Sequence, residues 1–244
     1  NEVCFRYAPA VKSADNLNTF KSAVKAIAAR NGLYASFMPK PLHDQSGNGL
    51  HVNMSLMRDG KNLFESPLTP DSEAGYFVAG ILAHARELTA FCNPVPNSYA
   101  RLGANEAPLY ISWSRQNRSQ LVRLPSASGD LCRVELRGPD PAGNPYLVIG
   151  LILAAGLDGI ARKLPLAEPV NRNLFHPSAA AGLESLPRTL REAITVAAQS
   201  DFIAAELPLA LQNKYFEYQT QLCHGYENAP DPAVWERTHG FLVI

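Results

Sequence analysis

The chain has 244 residues, 46% of them apolar, and 22 Lys+Arg balance 22 Asp+Glu, so it carries no formal net charge. That length allows a substantial core, as one large domain or two small ones. A general polyanion binder is basic, so the neutral balance argues against nucleic acid as a partner. The four cysteines, Cys4, Cys92, Cys132 and Cys223, are far apart and show no C-x-x-C spacing. They read as buried thiols in a reducing compartment. No signal peptide is recognisable. The most apolar stretch, Tyr146 to Leu157, falls short of the ~20 residues that span a bilayer. A cytoplasmic protein without a membrane partner is expected.

The chain begins without Met, at Glu2 to Tyr7, in what reads as mid-strand, and a fragment of a longer protein is expected. Ser13 or Asp15 can cap a helix that carries Leu17, Phe20, Val24 and Ile27 on one face and ends at Gly32. A short strand at Tyr34 to Met38 leads to Pro39-Lys40-Pro41 and a glycine-containing turn, Asp44 to Gly49. The next strand alternates, with Leu50, Val52, Met54 and Leu56 on one face and His51, Asn53 and Ser55 on the other. Asp59-Gly60 predicts a hairpin turn. Pro70-Asp71 opens a helix to about Cys92, and Asn93 to Glu106 reads as loop.

Strands are predicted at Leu109 to Trp113, Gln120 to Leu124 and Leu131 to Arg137. Asn144-Pro145 fits an N-cap followed by proline at the first helical position, and the helix after it is apolar nearly all round, as a buried helix is. From Pro187 the chain reads as helices with breaks near Pro208, Gly225 and Pro230-Asp231-Pro232. The fold class is α+β, with a curved, mainly antiparallel sheet flanked by helices and a helical C-terminal region.

The densest chemistry lies at Arg133-Val134-Glu135-Leu136-Arg137. Strand alternation places Arg133, Glu135 and Arg137 on one face and Cys132, Val134 and Leu136 on the other. Arg101, Arg115, Arg118, Arg123, Arg133 and Arg137 fall in one window that has no Lys. Guanidinium binds carboxylate and phosphate through paired hydrogen bonds, so such a window suits oriented recognition of several oxyanions. A set of structural ion pairs is the alternative. The His51, Asn53 and Ser55 face offers a metal ligand and hydrogen-bonding groups, but a lone strand histidine is also a common structural residue. Neither nucleotide-binding glycine signature, G-x-x-x-x-G-K-[ST] or G-x-G-x-x-G, is present. Glu106 by itself reads as a solvated loop acid.

Several segments together are specific: Phe37 to Pro41, Ser46 to Leu56, Asn97 to Leu102, Glu106-Ala107-Pro108, Trp113 to Ser119, and Arg133 to Pro141. In these the chain resembles the catalytic domain of a glutamine synthetase, strongly over residues 1 to about 165 and more loosely beyond. The resemblance implies an ATP-dependent ligase that uses Mg²⁺ or Mn²⁺ to join glutamate to ammonia through γ-glutamyl phosphate. It implies metal ligation by His51 and Glu135, and by Glu2 at a second metal. It places Arg118, Arg123 and Arg133 at the ATP phosphates, with Arg118 also at the transferring group, and Asn53 and Ser55 at the nucleotide. Gly47, His51, Arg101 and Arg137 would line the glutamate site, and Glu106 would be the acid of a mobile flap that takes a proton from the incoming amine.

Three departures from the family pattern fall near the expected substrate: Ser46 in the place of Asn, Gly138 in the place of Phe, and a flap, Leu102 to Glu106, one residue shorter. They keep open a larger amine, such as a polyamine, as the acceptor. A catalytically silent structural homologue is a further alternative. Phe175 stands where some bacterial members carry a modifiable Tyr, so adenylylation there is not expected. The family also implies a ring-shaped homo-oligomer with sites between subunits and an N-terminal β-grasp domain. The chain taken alone, Asn1 to Ile244, is therefore expected to be inactive.

Overall fold

The computed structural model describes residues 2–244. Four short strands form one sheet: β1 (Val52–Met54), β4 (Trp113–Arg115), β5 (Val122–Leu124) and β6 (Val134–Leu136). Their order is β1-β6-β5-β4, with β2 (Met57–Arg58) and β3 (Lys61–Asn62) as a separate hairpin. β6 is antiparallel to both β1 and β5, and β4 runs parallel to β5. The α+β class and the mainly antiparallel sheet are as expected, but every strand is shorter than its apolar alternation suggested. Residues 109–112 illustrate why: Ile111 N–H bonds the Glu184 carbonyl at 2.8 Å and Leu109 accepts from Leu186 N–H at 2.8 Å, so the main ladder starts only at Trp113. The Asp59-Gly60 turn is as expected, with φ values of 50° and 75°, the pair of left-handed residues that a tight hairpin takes.

α1 (Ala10–Arg30) starts earlier than Ser13 or Asp15. Pro9 fixes the extended entry at φ −54°, ψ 151°, and its carbonyl accepts the Ser13 N–H, so both expected caps lie inside the helix. The expected strands at residues 2–7 and 34–38 are extended chain without a ladder. Phe5 and Phe37 pack edge-on against Phe20 of α1, with centroids 5.3 and 6.0 Å away. The single helix expected up to Cys92 is two, α2 (Glu73–Ala83) and α3 (Ala85–Cys92). The break falls at His84, whose ring is held between Glu87 and Asp158 and stacks on Phe202 at 3.9 Å. The expected loop after Cys92 contains α4 (Pro96–Arg101).

α5 (Pro145–Arg162) has the expected cap, Asn144 Oδ1 accepting from Tyr146 N–H at 3.0 Å. By length and composition alone it could cross a membrane. It packs instead along α2, where a Cβ at Gly80 would collide with the Ala155 carbonyl and one at Gly156 with the Phe77 ring. Its outer side is exposed at Tyr146 and Leu157, so it is not buried all round. The C-terminal region is α6 (Leu190–Ala198), α7 (Asp201–Glu206), α8 (Leu209–Glu227) and α9 (Pro232–Glu236), then a π-helical turn at Arg237–Phe241. α8 runs unbroken through Gly225, where the Trp235 indole packs closely, so the expected break there is absent. The core joins Phe77, Ile81, Phe91 and Ile152 of the helices to Val122, Val134 and Leu136 of the sheet. Cys92 and Cys132 are buried there as expected, and Cys223 is buried in a second small cluster with Leu190 and Ile194, but Cys4 is exposed; all four are free thiols.

Candidate active site

The polar face of the sheet is built by register. Asn53 of β1 and Arg123 of β5 both stand opposite Glu135 of β6, so three polar side chains form a row across adjacent strands. Glu135 is only 5% exposed. Its Oε2 accepts from Arg123 Nε at 2.6 Å and from Arg137 Nη1 at 3.2 Å. Its Oε1 faces His51 Nδ1 at 3.4 Å. Burial acts to raise the Glu135 carboxyl, but hydrogen bonds from His51 and Arg123 and the charges of Arg137 and Arg123 outweigh it and hold the pKa at about 2. The carboxylate is thus ionised and divided, with one oxygen held by guanidinium and the other beside an imidazole.

Arg101, at the end of α4, closes the second half of the site. Its Nη1 donates to the Gly138 carbonyl at 2.8 Å and its Nη2 to the Arg137 carbonyl at 3.3 Å. The glycine turn lies directly over it. A Cβ at Gly49 would sit 2.7 Å from Arg101 Nη2, and one at Gly47 would sit 3.2 Å from Arg101 Cγ and strike the Pro39 carbonyl. Only glycine lets the backbone approach this closely. The turn is held by Asn48, which donates its N–H to the Pro39 carbonyl and its amide to the Met38 carbonyl, both at 2.7 Å. Asn97 of α4 accepts from Lys40 N–H at 2.6 Å and donates to the Lys40 carbonyl at 3.1 Å, fixing the loop to the same helix that carries Arg101.

The structure therefore brings together Gly47, His51, Arg101, Arg123, Glu135 and Arg137. The other expected residues stand apart or are otherwise engaged. Arg133 donates to Asn53 Oδ1 at 3.0 Å, and Ser55 Oγ donates to the Cys132 carbonyl at 3.0 Å, so Asn53 and Ser55 already have protein partners. Arg118 points to solvent, and it is its carbonyl that meets the site, accepting from Arg137 Nε at 3.1 Å. Glu106 is exposed on its short flap, where Asn105 takes a left-handed φ of 51° and bonds the Gln45 carbonyl at 2.9 Å. Glu2 is exposed and meets the Cys4 thiol, away from the His51–Glu135 pair.

The donor set fits a divalent cation in part. His51 and Oε1 of Glu135, 3.4 Å apart, are an imidazole and a carboxylate on one edge, suited to Mg²⁺ or Mn²⁺. Among the described residues no group of three or more His, Cys, Asp or Glu side chains is placed to hold a metal, so water or substrate oxygens would complete such a site. The sequence assigns no site role to Gly49, Asn93, Asn97 or Asp140, although all but Asn93 lie in the segments that carry the resemblance. Gly49 was visible as a glycine beside Gly47; the other three act through long-range bonds. Gly138, expected near the substrate, meets Arg101 through its carbonyl, while a side chain at this position would face elsewhere. A Cβ there would point into the core, 2.9 Å from Leu121 Cδ1 and 3.8 Å from Leu186 Cδ1, next to a small apolar cavity lined also by Ile81 and Leu88.

Known proteins resemble this chain in sequence and in fold. The family model described as glutamine synthetase, catalytic domain, matches residues 1–238. A glutamine synthetase of Methanosarcina mazei is 50% identical over 215 residues, 85% of this chain and 48% of the relative. One of Staphylococcus aureus strain MW2 is 45% identical over 223 residues, 88% of this chain and 50% of the relative. The chain thus spans about half the length of these curated relatives. Among solved structures, GmaS in complex with ADP superposes with a TM-score of 0.84 at 35% identity, covering 96% of this chain and 55% of that one. GmaS without ligand gives 0.83 at 36% identity, covering 96% and 54%. By sequence and by fold, the chain belongs to the glutamine synthetase catalytic-domain family.

Proposed function

We propose that the protein carrying this chain is an ATP-dependent ligase that joins glutamate to ammonia, through transfer of the ATP γ-phosphoryl group to the glutamate side-chain carboxylate. The observation that carries this reading is the surplus of fixed positive charge around one ionised carboxylate: Arg123 and Arg137 both pair with Glu135, beside His51. Bringing a polyphosphate to a carboxylate sets anion against anion, and preorganised cations offset that repulsion. Similarity to glutamine synthetases and to an ADP complex of GmaS supports the choice of substrates.

In this reading Arg101 and Arg137 orient the glutamate carboxylates beneath the Gly47–Gly49 turn. Arg123, the exposed Arg118 and the half-buried Arg133 meet the phosphates, with Asn53 and Ser55 at the nucleotide. A divalent cation bound by His51 and Glu135 would supply further charge neutralisation, and Glu2 would serve a second. The flap acid Glu106 accepts a proton from the incoming ammonium once the flap shields the site from water. Membership of the family supports a ring-shaped homo-oligomer with sites shared between subunits.

An amine panel on the full-length protein tests the reading. Phosphate release that requires glutamate, ATP, a divalent cation and ammonia is the expected result. Turnover with polyamines or other larger amines but not ammonia would select the second reading, which the shortened flap favours. Failure to bind ATP in the presence of metal would instead leave a structural homologue.

A further inference from the structure

Asp140 is fully buried, yet the chemistry proposed above gives it no part. It lies in the turn after β6, where Oδ1 accepts from Ala142 N–H at 3.0 Å and Oδ2 from the Asn93 amide at 2.8 Å. The same Asn93 nitrogen donates to the Gly138 carbonyl at 3.1 Å, and that carbonyl accepts from Arg101 at 2.8 Å. A dry, continuous path therefore joins the carboxylate to the guanidinium. Asn93 and Arg101 along it are at most 3% exposed. Glu135 is taken by Arg123 and Arg137, which leaves Asp140 as the opposite charge for Arg101. Burial raises the Asp140 carboxyl, while Arg101 and the bond from Asn93 pull it down.

We propose that Asp140 is a positioning residue: acting through Asn93 and the Gly138 carbonyl, it fixes Arg101 for a substrate carboxylate. This rests on the glutamate-ligase reading. The test is the near-isosteric Asp140→Asn in the full-length protein. The KM for glutamate is expected to rise at least about tenfold, the equivalent of ~1.4 kcal/mol, with kcat and the KM for ATP within about twofold. Asn93→Ser is expected to give a weaker change of the same kind, and crystals of either variant to show Arg101 displaced from the Gly138 carbonyl. An unchanged glutamate KM with Arg101 in place overturns the proposal, as does an equal rise in both KM values, which marks general loosening. If the parent protein consumes no glutamate, the ligase reading fails, and the position of Arg101 in the variant crystals decides the inference by itself. If Asp140→Asn does not fold, Asn93→Ser carries both readouts.

Discussion

The two faces of the four-stranded sheet are held by different forces. On one, Val122, Val134 and Leu136 are excluded from water and pack into the helical core. On the other, Arg123, Glu135 and Arg137 are nearly as deep, but charge pairing holds them. Neighbouring residues of β6 belong alternately to the two regimes. Apolar packing is non-directional and tolerates small shifts, whereas a buried ion pair depends on every partner being present. The polar face is thus organised before any ligand arrives.

Glu135→Ala should have the largest effect on stability. It strands Arg137, which is 4% exposed, without a carboxylate, and a loss of roughly 3–5 kcal/mol is expected in urea unfolding. A loss below about 1 kcal/mol would show that the face is not maintained by pairing. Leu136→Ala, one residue along on the apolar face, should lose roughly 2–4 kcal/mol through buried area and a cavity, with the ion pairs intact. The comparison is sharpest if added salt leaves the second loss unchanged.

Gly138→Ala is expected to lose no more than about 1 kcal/mol, because Leu121 can give way toward the adjacent apolar cavity. The amine panel of this variant should match that of the parent; a changed amine preference would return Gly138 to the substrate side. Arg118→Ala and Arg133→Ala should move the melting midpoint least, within about 0.5 kcal/mol, because both side chains reach solvent. Nucleotide affinity, measured by calorimetry with ADP, should nevertheless fall in both.

What could be read from the sequence follows the range of the forces. The two-residue alternation is local, and within Val52–Met54 and Val134–Leu136 it came out as read. The Asn144-Pro145 cap and the Asp59-Gly60 turn are local too. The break at His84 depends on Asp158 and Phe202, which lie far along the chain. α4 has only six residues and no apolar period, and it is held by Lys40 and the Gly138 carbonyl rather than by its own propensity. Within the site, the cluster of arginines was visible in composition, but its division into phosphate and glutamate roles came from family resemblance. The depth of Arg101, and the two glycines that allow it, appear only in three dimensions.

The sheet's two margins differ. The outer side of β4 is covered, since the Trp113 carbonyl takes the Val170 N–H at 2.8 Å and the segment before it is bridged to residues 184–186. β1 has no such cover: among the described residues its only ladder partner is β6. Main-chain groups left open along a strand template the addition of another. The uncovered margin is also the one that carries Asn53, next to His51, so a strand docking there would lay its side chains beside the imidazole and Oε1 of Glu135. The same opening makes the isolated chain liable to self-association at high concentration, edge against edge, with the polar face at the seam.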